Sequence, residues 1–396
     1  MKKRFRHRVV FFLFPPFFSL FLKIKLNATA KKFKPPKGIK GPYLILSNHG
    51  LALDPFLLSL SFREPIYFVA SDMIFSIKYW SKLITYLVSP IPKTKYRSDM
   101  ETIRDMVKVA KSGGSIGIFP EGNATFNGET LFINPSIAKL VKLLKLPVIF
   151  YHIEGGSLTK PRWSKHVHKG KVVGYVHDVW TLNHYQDLSV DDIYKGVLKN
   201  LFVNDHDLQA VKQIDYKGKD LAIDIESSYF YCPSCQALNT LSSHKDTVSC
   251  TVCDFLVKYT TKGTFEAINQ TFYYKTTIPW YHMQNKVLRE KIASLSNESV
   301  LFKDSNETIL DVVRSKRKTP LGKAEISLTK ETLSFKFNDH TETWQVKNVN
   351  SSVQQKNKLI FYDKETKKTY YAIANEKRNA LKYVIAIDAI NNKGEY

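Results

Sequence analysis

Short apolar segments alternate with helical patterns between residues 43 and 153, and this alternation limits the fold more than any other feature of the chain. Strands are predicted at 43–47, 66–70, 115–119 and 147–153, and helices at 54–62, at 98–111 and after Asn134 and Pro135. Helices that alternate with short apolar strands are typical of an α/β domain. We predict that this domain covers residues 41–215.

The length and composition indicate a folded protein with more than one domain. The chain has 396 residues, of which 43% are hydrophobic and 13% aromatic. That length exceeds the size at which a single core keeps growing, so two or three domains are expected. Intrinsic disorder is not expected at this apolar content.

The net charge of +23 predicts an anionic partner. No Asp or Glu precedes Asp54, and an apolar, aromatic run at 9–22 lies between basic residues. The run is shorter than the ~20 residues of a membrane-spanning helix, and Pro15 and Pro16 interrupt it. We therefore interpret residues 1–40 as a basic amphipathic segment at the surface of an anionic membrane. A cleaved signal peptide is the alternative, because residues 28–30 read ATA.

All the cysteines lie in one pattern, which reads CPSC, then fourteen residues, then CTVC. Two CxxC pairs at this spacing can present four thiolates to one tetrahedral zinc ion, here from Cys232, Cys235, Cys250 and Cys253. Two disulfides are the alternative, and they would need an oxidising compartment. The pattern predicts a structural zinc ribbon at 226–262, in which the ion has no open position for catalysis.

The stretch SNHGLALDPF at 47–56 joins the first predicted strand to the first predicted helix. Asp54 followed by Pro55 is typical of a helix start, with the aspartate as N-cap. His49 would then lie at the carboxyl end of a strand, where open α/β sheets bind their ligands. Across a turn that contains Gly50, the two side chains can form a His–Asp dyad with a general base.

A second motif, IFPEGNATFNG at 118–128, follows another buried strand. Together the two motifs resemble those of the glycerolipid acyltransferase family, and of the lysophosphatidic acid acyltransferases in particular. The shared residues are Asn48, His49 and Asp54 in the first motif, and Phe119, Pro120, Glu121 and Gly122 in the second. The resemblance covers only the first half of the chain.

The resemblance implies a reaction and a set of substrates. His49 would deprotonate the hydroxyl of a lysophospholipid for attack on an acyl thioester of acyl carrier protein or coenzyme A, while Asp54 holds the imidazole. Asn48, Glu121 and Gly122 would help to bind the substrate. A cation in the segment 90–99 would bind the acceptor phosphate; Lys95 and Arg97 are both candidates, and Lys93 is interpreted as a solvated charge.

One departure from the family concerns the residues after the second motif. The family often continues with threonine, arginine and serine, whereas Asn123, Ala124 and Thr125 stand here. A habitual basic side chain is therefore missing. This weakens the expectation that the acceptor is lysophosphatidic acid itself and leaves the dyad unaffected.

Three rival interpretations fit the sequence less well. Residues 113–117 match the GxSxG pattern of serine hydrolases, but the predicted helix precedes Ser115 and the strand follows it, which is the reverse of a nucleophile elbow. A metal-dependent phosphohydrolase would need a second His/Asp cluster. Nucleic acid is not expected as a partner, because Asp246 and Asp254 partly balance the lysines of the ribbon.

Residues 263–396 are predicted to form a β-rich domain. A helix at 283–295 precedes strands at 300–303, 324–328, 332–337, 342–346, 358–362 and 368–374, and a helix at 376–391 ends the domain. This layout resembles PH-type or GRAM-type domains, which often bind lipid headgroups. A plain stabilising domain is the alternative.

These observations together predict a peripheral acyltransferase of phospholipid synthesis on the cytoplasmic face of the cell membrane. The most favoured acceptor is 1-acylglycerol 3-phosphate, which would give phosphatidic acid. The alternative functions are a membrane-associated lipid-binding protein that retains the motifs without turnover, and a zinc-ribbon protein that binds nucleic acid.

Overall fold

The computed structural model describes residues 9, 11–13, 15–71, 89–93, 100–269, 271–313, 317–354, 358–374 and 379–392. The chain divides into two compact units. The first consists of Met1–Pro161 and Val167–Gly218, and the second of Arg162–His166 and Lys219–Tyr396.

The first unit is an α/β domain, as the sequence predicts. Its strands are β1 (Ala28–Ala30), β2 (Leu44–Ser47), β3 (Ile66–Ser71), β4 (Ile91–Lys93), β5 (Ser115–Ile118), β6 (Val148–Glu154) and β7 (Val172–Trp180). Its helices are α1 (Pro15–Leu26), α2 (Asp54–Ser59), α3 (Met100–Lys111), α4 (Ser136–Leu144), α5 (Gly156–Thr159), α6 (Leu182–Tyr185), α7 (Val190–Leu201) and α8 (Asp205–Lys212).

The strands form one sheet in the order β1-β7-β6-β2-β5-β3-β4. β6 and β7 are antiparallel, and the other neighbouring strands are parallel. β2 therefore lies between the parallel strands β5 and β6, and all four of its residues are buried. The carboxyl ends of these strands share one edge of the sheet, which is where such sheets place their sites.

Two apolar cores cover the two faces of this sheet. Leu44 and Leu46 of β2 face the core that α4 and α7 cover, whereas Ile45 faces the core that α1 and α2 cover. The alternation follows from the two-residue period of a strand. A central strand with both faces buried reads as a continuous apolar run, which is why the sequence around 43–47 predicts it well.

Among its described residues, the second unit contains two antiparallel sheets and two α-helices. The smaller sheet has the order β11-β10-β9-β8, formed by β8 (Leu241–His244), β9 (Thr247–Cys250), β10 (Leu256–Tyr259) and β11 (Phe265–Ala267). The larger sheet consists of β12 (Phe302–Val313), β13 (Arg317–Leu328), β14 (Thr332–Lys336), β15 (Thr341–Gln345), β16 (Val349–Gln354), β17 (Lys358–Asp363) and β18 (Thr369–Ile373). The helices are α9 (Thr277–Ser294) and α10 (Leu381–Ile390).

The larger sheet has the order β15-β14-β13-β12-β18-β17-β16, and α10 ends the unit. The C-terminal region is therefore β-rich, as predicted, but several boundaries were wrong. The predicted strand at 300–303 extends to Val313, and β16 was missed because its sequence, VNSSVQ, is mostly polar. Pairing with β13 and β17 supplies the backbone hydrogen bonds of these polar segments and overrides their weak propensity.

No helix among the described residues is both long and apolar enough to cross a bilayer.

Candidate functional site

The turn between β2 and α2 is tied to the neighbouring strand β6 by Asn48. Its amide nitrogen donates to the carbonyl of Ile153 at 2.8 Å, and its amide oxygen accepts from the N–H of the same residue at 2.8 Å. Asn48 is buried. Both ends of its amide therefore fix the turn to the sheet. These two hydrogen bonds give Asn48 a structural role, in addition to the contact with substrate that the sequence predicts.

Asp54 is the first residue of α2, and its carboxylate points back into the turn. Oδ2 accepts hydrogen bonds from Nδ1 of His49 at 2.8 Å, from the N–H of Gly50 at 2.7 Å and from the N–H of Leu51 at 2.8 Å. The N-cap interpretation of Asp54 is wrong, because Leu53 occupies the cap position and no side chain caps the helix. The side chain of Asp54 is completely buried.

The contact with Asp54 determines the protonation pattern of His49. With Nδ1 donating to a carboxylate, the neutral imidazole carries its proton there and leaves Nε2 as a free acceptor. The imidazole retains 20% of its exposure, so it can be reached from outside. The ring of Phe119 packs against it, with centroids 4.6 Å apart. An unprotonated ring nitrogen that can be reached from outside is what a general base for a hydroxyl group requires.

Glu121 connects the second motif to the first. Oε1 accepts from the N–H of His49 and Oε2 accepts from the N–H of Leu131, each at 2.7 Å. Burial raises the pKa of Glu121 to about 8, although both backbone hydrogen bonds favour the charged form. With both oxygens bonded to backbone, Glu121 is placed to fix the loop that carries it.

The loop that follows β5 is bonded to His49 and has an exposed turn at Gly122. Gly122 has φ +72°, which favours glycine, and a Cβ at this residue would meet no atom within 4 Å. The N–H of Thr125 donates to the carbonyl of His49 at 2.9 Å. Gly122 therefore lies at an exposed turn in a loop that is bonded to the dyad at both His49 N–H and His49 C=O.

Asp205 is a residue of this region that sequence analysis missed. Oδ1 accepts from the N–H of Gly155 at 2.7 Å, and Oδ2 accepts from the N–H and the hydroxyl of Ser157, at 3.1 and 2.6 Å. The segment that it holds packs on the dyad turn, since a Cβ on Gly156 would lie 3.5 Å from Cα of Gly50. The sequence NDHD at 204–207 signals only a helix start, and burial of Asp205 depends on the tertiary fold.

The predicted phosphate-binding candidates Lys95 and Arg97 lie outside the described residues. Lys93 is at the end of β4 and is exposed. Ser115 begins β5, where its hydroxyl accepts from the N–H of Tyr43 at 2.9 Å and donates to Glu64 at 2.6 Å. It has the position of an ordinary strand residue, in agreement with the interpretation given to the GxSxG match.

The cysteines come together at one end of the smaller sheet of the second unit. The Sγ atoms of Cys232 and Cys253 are 3.7 Å apart, those of Cys235 and Cys250 are 3.8 Å apart, and all four lie within 4.8 Å of one another. A tetrahedron of thiolates at the usual zinc–sulfur distance has an edge of about 3.8 Å. The cluster therefore fits one tetrahedral ion. Among the described residues it is the only group of His, Cys, Asp or Glu that could hold a metal.

The comparisons with known proteins concern mainly the first unit. The acyltransferase family model, described as "Acyltransferase", matches residues 25–153, which include both motifs. A curated relative from Borreliella burgdorferi, a 1-acyl-sn-glycerol-3-phosphate acyltransferase, is 31% identical over 133 residues. That match covers 33% of this chain and 52% of the relative, so the chain spans about half the length of the curated relative.

A crystal structure of the 1-acyl-sn-glycerophosphate acyltransferase from Thermotoga maritima has 19% sequence identity to this chain and a TM-score of 0.40. It covers 50% of this chain and 78% of its own. The family match at residues 25–153 and the sequence of the curated relative support, for this part of the chain, the acyltransferase family that its two motifs resemble.

Proposed function

We propose that this protein transfers a fatty acyl group from a thioester to the free hydroxyl of a lysophospholipid in phospholipid synthesis. The proposed acceptor is 1-acylglycerol 3-phosphate, and the product is phosphatidic acid. The observation that carries the proposal is the contact at 2.8 Å between Nδ1 of His49 and Oδ2 of Asp54, with Nε2 of His49 left without a partner among the described residues. The name of the curated relative agrees with this acceptor.

The proposed reaction has two steps and no acyl-enzyme. Nε2 of His49 takes the proton of the acceptor hydroxyl while its oxygen attacks the thioester carbonyl carbon. The tetrahedral intermediate then breaks its C–S bond, and the departing thiolate takes the proton from the imidazolium. Asp54 stabilises that imidazolium through Nδ1–H, and its bonds to Gly50 and Leu51 keep the carboxylate in place.

Replacement of the base should abolish most of the activity. We expect His49→Ala to lower kcat by about 10²- to 10⁴-fold, the usual contribution of a general base, and Asp54→Asn to lower it within the same range. The measurement is transfer of a radiolabelled acyl group to 1-acylglycerol 3-phosphate by the purified protein in lipid vesicles, with acyl carrier protein and coenzyme A thioesters as separate donors.

The second unit offers a matched control. His340 also bonds an aspartate through Nδ1, at 2.8 Å from Asp339, but both side chains are largely exposed. His340→Ala should retain full activity. If His49→Ala retains it as well, the general-base proposal is wrong. If wild type has no turnover with either donor while it still binds lipid, the protein is a lipid-binding member of the family.

Glu121 is proposed to be a positioning residue rather than the base. Because its pKa is raised, the folded protein binds the proton of the Glu121 carboxyl group more tightly than the unfolded chain does. The proton therefore stabilises the fold fully below about pH 4.5, and this stabilisation is lost as the pH rises through about 8.

Glu121→Gln lacks this titration, so its stability should depend less on pH. Between pH 4.5 and pH 8 the free energy of unfolding of wild type should fall by about 2–4 kcal/mol more than that of Glu121→Gln. Denaturant unfolding of both proteins at several pH values measures this difference. Parallel pH profiles would rule out a raised pKa at Glu121, whatever the constant difference in stability between the two proteins.

The four cysteines are proposed to bind one structural zinc ion. The ribbon would then be closed by Zn–S bonds at Cys232, Cys235, Cys250 and Cys253, in a reducing cytoplasm. The side chain of Trp280 on α9 is bonded to the proposed ribbon, because its indole N–H donates to the carbonyl of Tyr231 at 3.0 Å. Metal binding and packing of the ribbon on α9 are therefore expected to be coupled.

Elemental analysis should find about one zinc ion per chain, as the four-thiolate geometry requires. Cys235→Ser should lose the ion and lower the thermal stability of the second unit, and Ser234→Ala, one residue away, should do neither. Thiol titration of the denatured, metal-stripped protein should find all four cysteines reduced. Two disulfides and no zinc would contradict the proposal.

The N-terminal helix is proposed to bind the surface of an anionic membrane, on the cytoplasmic face. Leu22 and Leu26 of α1 are buried in the protein core, but Phe17, Leu20 and Ile24 are exposed by 67%, 60% and 63%. Apolar side chains at this spacing share a face of the helix, and Lys23 and Lys25 are available for lipid phosphates. Phe18 stacks on Phe56 of α2 at 4.8 Å, which connects the helix to the element that begins with Asp54.

The β-rich region is proposed to add a second, PH-like or GRAM-like contact with anionic lipid. The ammonium groups of Lys318 and Lys358 lie 5.3 and 5.4 Å from the centroid of the Tyr371 ring. Burial and the charge of Lys318 both lower the pKa of Lys358. Neither lysine has a carboxylate partner among the described residues, so an anion would relieve their repulsion.

Removal of the exposed apolar face of α1 should weaken membrane binding. We expect the triple substitution Phe17→Ser, Leu20→Ser, Ile24→Ser to reduce binding to vesicles with anionic lipid by about 30-fold or more, from the loss of inserted apolar area. The control replaces Leu143, Phe202 and Val211, which are also exposed in the first unit, by serine. Equal losses in both triple variants would contradict a specific role for α1.

A further inference from the structure

The first unit contains a cavity of about 540 Å³ that no proposed step uses. It lies where β6 ends and β7 begins, beside β1 and α8. Its lining includes Lys31, Glu154, Lys171, Tyr175, Asp205 and Lys212. The volume is in the range of small-molecule sites. It is much larger than a water molecule needs, so a ligand with polar groups fits it.

Three lysines, Lys31, Lys171 and Lys212, contribute to the lining, and among the described residues only Lys212 is paired with a carboxylate. Lys212 forms an ion pair with Glu154, whose other oxygen accepts from the hydroxyl of Tyr175 at 2.5 Å. Lys31 lies over the ring of Tyr175, with Nζ 5.0 Å from its centroid. Lys171 and Lys31 have no carboxylate partner among the described residues.

Asp205 is the second carboxylate that lines the cavity, and its oxygens are already hydrogen-bonded. Asp205 accepts its three hydrogen bonds from Gly155 and Ser157, so its oxygens are directed at the backbone of the wall. The two lysines without a carboxylate partner among the described residues are thus the groups left to bind an anion, and they directly follow β1 and directly precede β7. Lysine ammonium groups bind phosphate as point charges.

The segment of Gly155 and Gly156 lies between the cavity and the His49–Asp54 dyad. Gly155 lines the cavity, and the next residue, Gly156, packs against the turn of His49 and Asp54, since a Cβ there would lie 3.2 Å from Leu51 and 3.5 Å from Gly50. A molecule held in the cavity therefore lies on the same side of the sheet edge as the base. This position suits a substrate of the reaction.

We propose that this cavity binds the phosphate ester of a substrate, with Lys31 and Lys171 as its ligands. The proposal rests on the proposed acyl transfer. The same chemistry is present in two molecules, the phosphates of a coenzyme A donor and the phosphate of the lysophospholipid acceptor.

Binding measurements separate the site from turnover. Isothermal titration calorimetry at low ionic strength would use the zinc-loaded full chain with His49→Ala, and coenzyme A and glycerol 3-phosphate as probes. Adding Lys31→Ala and Lys171→Ala should weaken the binding of one probe by about 10-fold or more. Adding Lys34→Ala and Lys169→Ala removes the same charge next to these positions and should change the affinity less than about 2-fold.

The probe that responds identifies the source of the phosphate. In the active protein, the KM of the corresponding substrate should rise about 10-fold with Lys31→Ala and Lys171→Ala, and kcat should stay within about 3-fold. Arginine at both positions should restore most of the binding, which separates lost charge from a folding defect.

Each proposal can fail alone. Unchanged affinities for both probes and unchanged KM values in an active protein would overturn the phosphate site and leave the acyl transfer intact. Lysine-dependent binding of a probe by a wild-type protein without turnover would overturn the acyl transfer and retain the site.

Discussion

A single carboxylate oxygen organises the site. Oδ2 of Asp54 accepts three hydrogen bonds within the turn of His49, Gly50 and Leu51, at 2.7 to 2.8 Å, in a completely buried position. Hydrogen bonds to a charged group are stronger than neutral ones, and a buried N–H left without its acceptor is costly. The same oxygen therefore stabilises the turn and selects the imidazole tautomer. The conformation of the turn and the proton position on the His49 imidazole thus both depend on Oδ2 of Asp54.

The rest of the first unit holds this turn in place from several directions. Asn48 bonds β6, Glu121 bonds both His49 and Leu131, and Asp205 fixes the segment that packs on Gly50. None of these side chains needs to touch a reacting atom to matter. A base must be held within a fraction of an ångström of its working position, and several fixed supports achieve this better than one.

The second unit reaches stability by other means. Its smaller sheet has short strands of three or four residues, and the cysteine cluster at one end of that sheet fits a metal ion that would close the adjoining loops. Its larger sheet depends on long antiparallel pairing, as between β12 and β13, and on α10, whose residues Leu381 to Asp388 are buried. A four-thiolate site has no open position, so its expected contribution is to folding.

The sequence alone determined the elements whose information is local. The apolar run at 43–47 predicted β2, the two motifs predicted the family, and the CxxC spacing predicted the cysteine cluster, because each signal lies within a few residues or in a fixed pattern of ligands. Tertiary structure decided the rest. Four features depend on contacts between segments that are distant in the sequence. They are the polar strand β16, the backbone contacts of Glu121, the burial of Asp205 and the direction of the Asp54 side chain into the turn. A polar side chain gives the same local signal whether it is solvated or buried, and only the neighbours supplied by the fold decide between them.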